Sequence, residues 1–161
     1  MTEIVLTTAE GDDLKTTAEI MKPSHLIGNI LQDSGVEEKI PLEKVKGDTL
    51  KKIIDYCDHY KDQEELPKIE KPLRSDFFED YVDEWLLAYL DLEVPLLLEL
   101  VEASNYLDIA SLFELTCAAV ANKMKNKTVD ALRDEFDITN DLTENETQEI
   151  NTFFDWCDDL F

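Results

Sequence analysis

Short β-branched stretches give way to apolar positions at helical spacing along this chain, and that change organises it. Residues 3–8 (EIVLTT) and 13–18 (DLKTTA) flank Glu10-Gly11-Asp12, a turn signal, and together predict a hairpin. Met21-Lys22-Pro23-Ser24 opens a short helix carrying Leu26, Ile27, Ile30 and Leu31 on one face, with Gly35 as its stop. Ile40-Pro41-Leu42 predicts a third, brief strand. Gly47-Asp48 precedes an amphipathic helix with Leu50, Ile53, Ile54 and Cys57 on one side, and Asp48 is placed to accept from its free first-turn N–H groups. The polar stretch DQEELPKIEKP at 62–72, with two prolines, reads as a flexible surface loop reaching to about 74.

From Asp76 onward the pattern is almost wholly helical. Phe78, Tyr81, Val82, Trp85, Leu86 and Tyr89 form one apolar stripe. Pro95 suits the start of a helix, where its missing N–H costs nothing, and 96–101 is apolar on more than one side, as in a buried central helix. Asp108 is expected to cap a helix over 109–125, and Thr128 to cap a shorter one bearing Val129, Leu132 and Phe136. Thr143-x-x-Glu146 is a capping box before a last helix with Ile150, Phe153 and Phe154. The elements give an α+β domain over 1–107 and a helical tail over 108–161. That tail is too small to cover Phe136, Ile138, Phe153, Phe154, Trp156 and Phe161 by itself, and exposed aromatic clusters of this kind mark a partner surface.

Composition narrows the partner. Across 161 residues, 38 Asp and Glu face 15 Lys and Arg, a formal net charge of -23. Such a surface repels a phosphate backbone and an anionic lipid face, so neither nucleic acid nor membrane is expected as a partner. Yet 43% of residues are hydrophobic, with seven Phe, five Tyr and two Trp, which is too many for a disordered acidic chain. The acidic N-terminus lacks the charge and apolar core of a signal peptide, so a cytoplasmic and nuclear location is expected, and the two N-x-T sequons are read as accidental.

Candidate chemistry is sparse. Cys57, Cys117 and Cys157 lie 40–60 residues apart, which fits buried thiols better than a disulfide framework or a metal knuckle. His25 and His59 are isolated and are taken as structural or surface residues. No phosphate-binding glycine loop or nucleophile motif occurs among the four glycines. Asp137-x-Thr139-x-Asp141 imitates the start of a calcium loop, but its sixth position is Leu142 and its twelfth Gln148, where glycine and a bidentate glutamate are needed. We expect no catalytic residues, no metal and no cofactor.

The motif NYLDI at 105–109 continues through Leu112, Thr116-Cys117, Val120-Ala121-Asn122 and Lys127-Thr128, and FDITND at 136–141 is followed by Thr143-Glu144 and Trp156-Cys157. This pattern closely resembles the Skp1 family. The N-terminal half resembles it more loosely, through Gly11, Pro41-Leu42, Leu50-Lys51-Lys52-Ile53-Ile54, Tyr56-Cys57, His59 and Lys61-Asp62. The resemblance implies a BTB/POZ-type domain followed by C-terminal helices, acting as an adaptor in SCF-type (Skp1–cullin–F-box) ubiquitin ligases. It implies a cullin, which carries a RING protein, at Asn105 and Tyr106. It implies F-box proteins at Leu97, Leu98, Val101, Phe113 and Val120, together with Phe136, Ile138 and Trp156 of the tail.

Several residues depart from the family pattern, among them Trp85-Leu86-Leu87, Leu92-Glu93-Val94-Pro95 and the apolar end Leu160-Phe161, and partner choice is expected to differ accordingly. An elongin C-like adaptor and a structural subunit of a non-ligase assembly, such as a kinetochore complex, stand as alternatives. The tail argues against the first.

Overall fold

The computed structural model describes residues 2–34, 39–63, 65–69 and 77–158, with backbone only at 34 and 155–158. Gly35 and most of the polar loop beyond Gln63 lie outside the described residues, as do the side chain of Trp156 and residues 159–161.

The expected hairpin forms from β1 (Glu3–Thr7) and β2 (Asp13–Thr17), antiparallel, with Val5 opposite Lys15 and Leu6 opposite Leu14. Gly11 sits at φ 88° in the turn, backbone that a side chain would strain. Ile4 and Leu6 point inward at period two and are buried. Ile40–Pro41 forms β3 and joins the free edge of β1 in parallel, giving the order β2-β1-β3. A parallel neighbour needs a crossover, which α1 (His25–Ser34) supplies.

α2 (Gly47–Tyr60) buries Leu50, Ile53, Tyr56, Cys57 and Tyr60. Its cap differs from expectation. Asp48 lies inside the helix and pairs with Lys51 at 3.1 Å. The first-turn N–H of Gly47 instead donates to the Glu10 carboxylate at 3.1 Å. The hairpin turn thus supplies the anion that a helix N-terminus favours.

The stripe from Phe78 to Tyr89 is not one helix. A 3-10 turn, Phe78–Asp80, is followed by α3 (Glu84–Leu90), because the Asp83 carboxylate takes the Leu86 N–H at 2.8 Å and starts a new helix there. Its face is nevertheless apolar: Val82, Leu86 and Tyr89 are buried, and Phe78, Tyr81 and Trp85 pack partly on the core.

α4 (Val94–Tyr106) begins with Pro95 in its first turn, and α5 (Ala110–Met124) packs against it through Leu112, Leu115, Thr116 and Ala119. Asp108 does not cap α5. It takes φ 52° as the residue after the α4 C-cap; the Asp108 N–H donates to Asn105 O at 3.1 Å and the Ile109 N–H to Ser104 O at 3.0 Å. Those two bonds close a Schellman turn, so Asp108 ends one helix rather than starting the next.

Because α5 packs on α4, the first compact unit runs to Lys125, beyond the division expected after residue 107, and the second spans Asn126–Phe161. The second unit holds α6 (Val129–Glu135) and α7 (Glu144–Asp158). Thr128 caps α6 by accepting the Ala131 N–H at 3.3 Å, as expected. A second Schellman turn follows α6, with Asp137 at φ 52° and the Ile138 N–H donating to Arg133 O at 2.8 Å. The capping box forms as read: the Glu146 N–H donates to Thr143 Oγ1 at 3.3 Å, and the Thr143 N–H donates to Glu146 Oε2 at 2.9 Å.

Candidate functional site

Asn105-Tyr106-Leu107-Asp108-Ile109 joins α4 to α5, and α1 holds it from the other side. The Leu107 carbonyl accepts from the Ser24 hydroxyl at 2.6 Å and from the Leu26 N–H at 3.4 Å. The Asp108 carbonyl accepts the His25 N–H at 3.3 Å, and the Asp108 carboxylate meets His25 Nδ1 at 3.1 Å. The turn's carbonyls therefore satisfy the opening N–H groups of α1, which would otherwise lack partners. Leu107 and Ile109 are fully buried and anchor the segment, and Asn105, the last but one residue of α4, is exposed beside them.

Tyr106 is half-buried, packed partly on the core, with the Lys44 ammonium 5.7 Å from its ring centroid. That separation lies within cation–π range. Behind it, Lys46 donates to Glu99 at 2.6 Å and the buried Thr49 hydroxyl donates to the same carboxylate at 3.3 Å, tying α4 to the start of α2. The Glu99 carboxylate raises the Lys46 pKa, chiefly through that hydrogen bond. Neither Lys44 nor Glu99 carries a local sequence signal, because each partner lies some fifty or more residues away.

The α4 residues expected to face an F-box protein divide. Leu97 is 0% exposed and packs in the core with Leu100, one helical turn on. It is therefore not a docking residue in this chain, and the expectation is corrected. Leu98, one position on, is 37% exposed, and shares its stripe with half-buried Val101 and with Asn105. Spacing of three and seven residues puts these three on one side of α4. On α5, Phe113 and Val120 are both half-buried at i and i+7, with Cys117 between them and exposed Met124 beyond. This stripe flanks the buried Leu112–Leu115–Thr116–Ala119 face, about a third of the way round the helix from it.

In the second unit Phe136 is half-buried and Ile138 is 56% exposed. On α7, Ile150 and Phe154 are exposed and Phe153 is 67% exposed, the two phenyl rings meeting edge to face at 5.1 Å. Trp156 falls among the residues whose side chains lie outside the description.

Sequence reasoning missed one cluster. On α2 and α3, the Lys52 ammonium lies 5.4 Å from the Tyr89 ring, Tyr89 stacks on Trp85 at 5.0 Å and 15°, and Trp85 stacks on His59 at 3.7 Å and 4°. Trp85, a departure by its context, thus sits against α2. Beneath the ladder, Tyr56 and Tyr60 join the core, and the Tyr60 hydroxyl donates to Asp83 at 3.4 Å. Burial pushes the Tyr56 phenol up to about 12, the Ser111 hydrogen bond opposing it, and pushes the Cys57 thiol up to about 12. A thiol held in its neutral form is a poor nucleophile. Among the described residues no helix is long and apolar enough to cross a membrane.

A mixed sheet backed by helices, with a fixed polar–aromatic corner and apolar stripes left open on later helices, is the architecture of a protein-docking module. Residues 2–62 match the family model described as the Skp1 family tetramerisation domain, and residues 110–157 match the Skp1 family dimerisation domain. The S-phase kinase-associated protein 1 homolog of Tetrahymena thermophila is 38% identical over 98% of this chain and 95% of its own length. The E3 ubiquitin ligase complex SCF subunit sconC of Neosartorya fischeri is 32% identical over 99% of this chain and 100% of its own. The corresponding subunit of Talaromyces stipitatus is 34% identical over 96% and 97%. The chain belongs to the Skp1 family.

Proposed function

We propose that this chain is a non-catalytic adaptor that bridges a cullin scaffold to F-box substrate receptors in an SCF-type ubiquitin ligase, and so serves ubiquitin-dependent protein degradation. The observation that carries the reading is the apolar surface left open on the second unit, where Val129, Ile138, Ile150, Phe153 and Phe154 are all exposed. Apolar area at this density gains free energy only when a partner covers it.

In this reading the F-box partner takes the stripe of Leu98 and Val101 on α4 and that of Phe113 and Val120 on α5, with Phe136, Ile138 and Trp156 of the tail. Helices pack on helices there, apolar at the centre with charge at the rim. Leu97 supports the surface from beneath rather than touching the partner. The cullin takes the corner at Asn105 and Tyr106. The chain's contribution is placement: it holds a receptor-bound substrate near a charged ubiquitin and raises their effective concentration.

The same reading makes the partners proteins rather than nucleic acid or lipid, since a net charge of -23 repels both phosphate backbones and anionic headgroups. It places the work in the cytoplasm and nucleus. Affinity purification of the intact chain from cells, followed by identification of what co-purifies, tests it. Recovery of a cullin together with F-box proteins supports the adaptor role; a stable complex lacking both overturns it.

A further inference from the structure

Glu99 is half-buried on α4 and belongs to neither partner surface described above. We propose that it is a positioning residue for the cullin corner: by taking the Lys46 ammonium, it leaves the place over the Tyr106 ring to Lys44. The partner in this proposal rests on the adaptor reading, and the geometry does not.

Register along α4 is the first argument. Glu99, Glu102 and Tyr106 stand at i, i+3 and i+7, so they share one stripe of the helix, next to that of Leu98, Val101 and Asn105. Two lysines from the segment before α2 meet this stripe. Lys46 donates to Glu99 at 2.6 Å, and the Lys44 ammonium lies 5.7 Å from the Tyr106 ring centroid. Between them Val45 is buried, and its carbonyl accepts the Ala9 N–H at 2.9 Å. With the backbone pinned there, what remains to be decided is which group each ammonium takes.

The anchoring of the Glu99 carboxylate is the second. Its Oε1 accepts from Lys46, while its Oε2 accepts from the hydroxyl of buried Thr49 on α2 at 3.3 Å. An exposed ion pair by itself positions little, because two long side chains must be ordered to make it. Here the bond to Thr49 already orders one of them.

Competition is the third. The Glu10 and Glu102 carboxylates also attract the Lys46 ammonium. Glu10 is engaged with the Gly47 N–H at 3.1 Å, whereas Glu102 is exposed and stands one turn from both Glu99 and Tyr106. With the charge of Glu99 removed, Lys46 turns to Glu102 and comes up beside Tyr106. Two ammonium groups then repel each other at the ring, and Lys44 leaves it. Glu99 thus keeps one cation on the aromatic face, a positive point at the corner of a chain of net charge -23. A cullin that docks there meets the ring and the charge together.

The test reads the free full-length chain first. NMR follows the Lys44 ε-methylene protons, which the ring current of Tyr106 moves upfield when the ammonium lies over its face. In Glu99→Gln, whose amide oxygen can still accept from Thr49, most of that upfield shift should be lost. The double variant Glu99→Gln with Lys46→Met should regain it, because no second ammonium is left to compete. Circular dichroism checks that each variant is folded. Cullin affinity should follow the same order, falling about threefold in Glu99→Gln, the scale of a partly exposed ion pair, and recovering in the double variant. F-box affinity should stay at the parent value in both. An upfield shift unchanged in Glu99→Gln would overturn the proposal, as would its failure to return with Lys46→Met. Equal loss of cullin and F-box affinity would overturn it too, by making Glu99 a residue of the fold alone. A parent chain that binds no cullin would instead overturn the adaptor reading and the partner named here, with the Lys44 shift still deciding whether Glu99 positions the ammonium.

Discussion

The Ser24 hydroxyl donates to the Leu107 carbonyl at 2.6 Å, although 83 residues separate them. Ser24 is fully buried, and its oxygen also accepts the Ile27 N–H at 3.2 Å, so one side chain both caps α1 and clamps the α4–α5 turn. Removing it strands a buried N–H and weakens the cover of a buried carbonyl. We expect Ser24→Ala to cost about 1–3 kcal/mol of stability, read by denaturant unfolding. If the clamp also sets the corner, the folded variant should bind a cullin more weakly while keeping its F-box affinity. A variant as stable as the parent would show that water replaces the hydroxyl without loss.

Leu97 and Leu98 are adjacent, equally apolar and placed on different sides of α4, which makes them a matched pair. Leu97→Ala opens a cavity in the core and should cost about 2–5 kcal/mol. Leu98→Ala, on the surface, should change stability by no more than about 0.5 kcal/mol. Binding should show the reverse order, with Leu98→Ala weakening F-box affinity in folded protein. Calorimetric titration with an F-box protein, alongside unfolding curves, checks both halves.

At the corner, Asn105 is exposed and the Tyr106 ring is shared between the core and the Lys44 ammonium. The double substitution Asn105→Ala with Tyr106→Ala should lower cullin affinity by about tenfold or more, the usual effect of removing a central aromatic anchor. F-box binding should survive. Simultaneous loss of both affinities would mean that Tyr106 serves packing rather than contact.

The Thr143–Glu146 capping box gives α7 a pH dependence. The Thr143 N–H and hydroxyl both donate to Glu146 Oε2, at 2.9 and 2.8 Å, and these bonds hold the carboxyl below the usual glutamate range. A depressed folded-state pKa means the stabilisation is fully present above the ordinary glutamate value and is lost as pH falls through the lowered one. The helical signal of α7 should therefore weaken on acidification below that ordinary value. In Glu146→Gln the same acid step should be smaller. Far-ultraviolet circular dichroism and the amide shifts of residues 144–147 report it.

These elements show what periodicity can and cannot reveal. Helical spacing located α2 and α4, and the local caps Thr128 and Thr143–Glu146 formed as read, because each depends on residues within one turn. The side of α4 that faces the core was not legible, since Leu96, Leu97 and Leu98 are consecutive leucines and the pattern has no contrast there. Asp108 misled because an aspartate suits both a helix N-cap and a left-handed residue after a helix. The chain chose the second, ending α4 in a Schellman turn held by α1. Glu10 on Gly47, Lys44 on Tyr106 and His59 on Trp85 are joined only by the tertiary fold, and nothing within ten residues of any of them announces its partner.

The last expectation concerns α7 itself. It is 15 residues long, and its apolar Ile150, Phe153 and Phe154 are exposed. A helix of that length without tertiary cover is marginal in water, because the cost of nucleation is barely offset by its own hydrogen bonds. Its amides should then exchange by local opening, far faster than those of α2 or α4, whose faces are buried. Covering the same side chains with an F-box partner adds the missing packing free energy, so protection over residues 128–158 should rise on binding while the first unit changes little. Hydrogen exchange read by mass spectrometry, with and without an F-box protein, measures this directly. Full protection of these amides in the free chain would show that the second unit is already stable alone, and that its exposed phenyl rings contribute to affinity without any ordering of the helix that carries them.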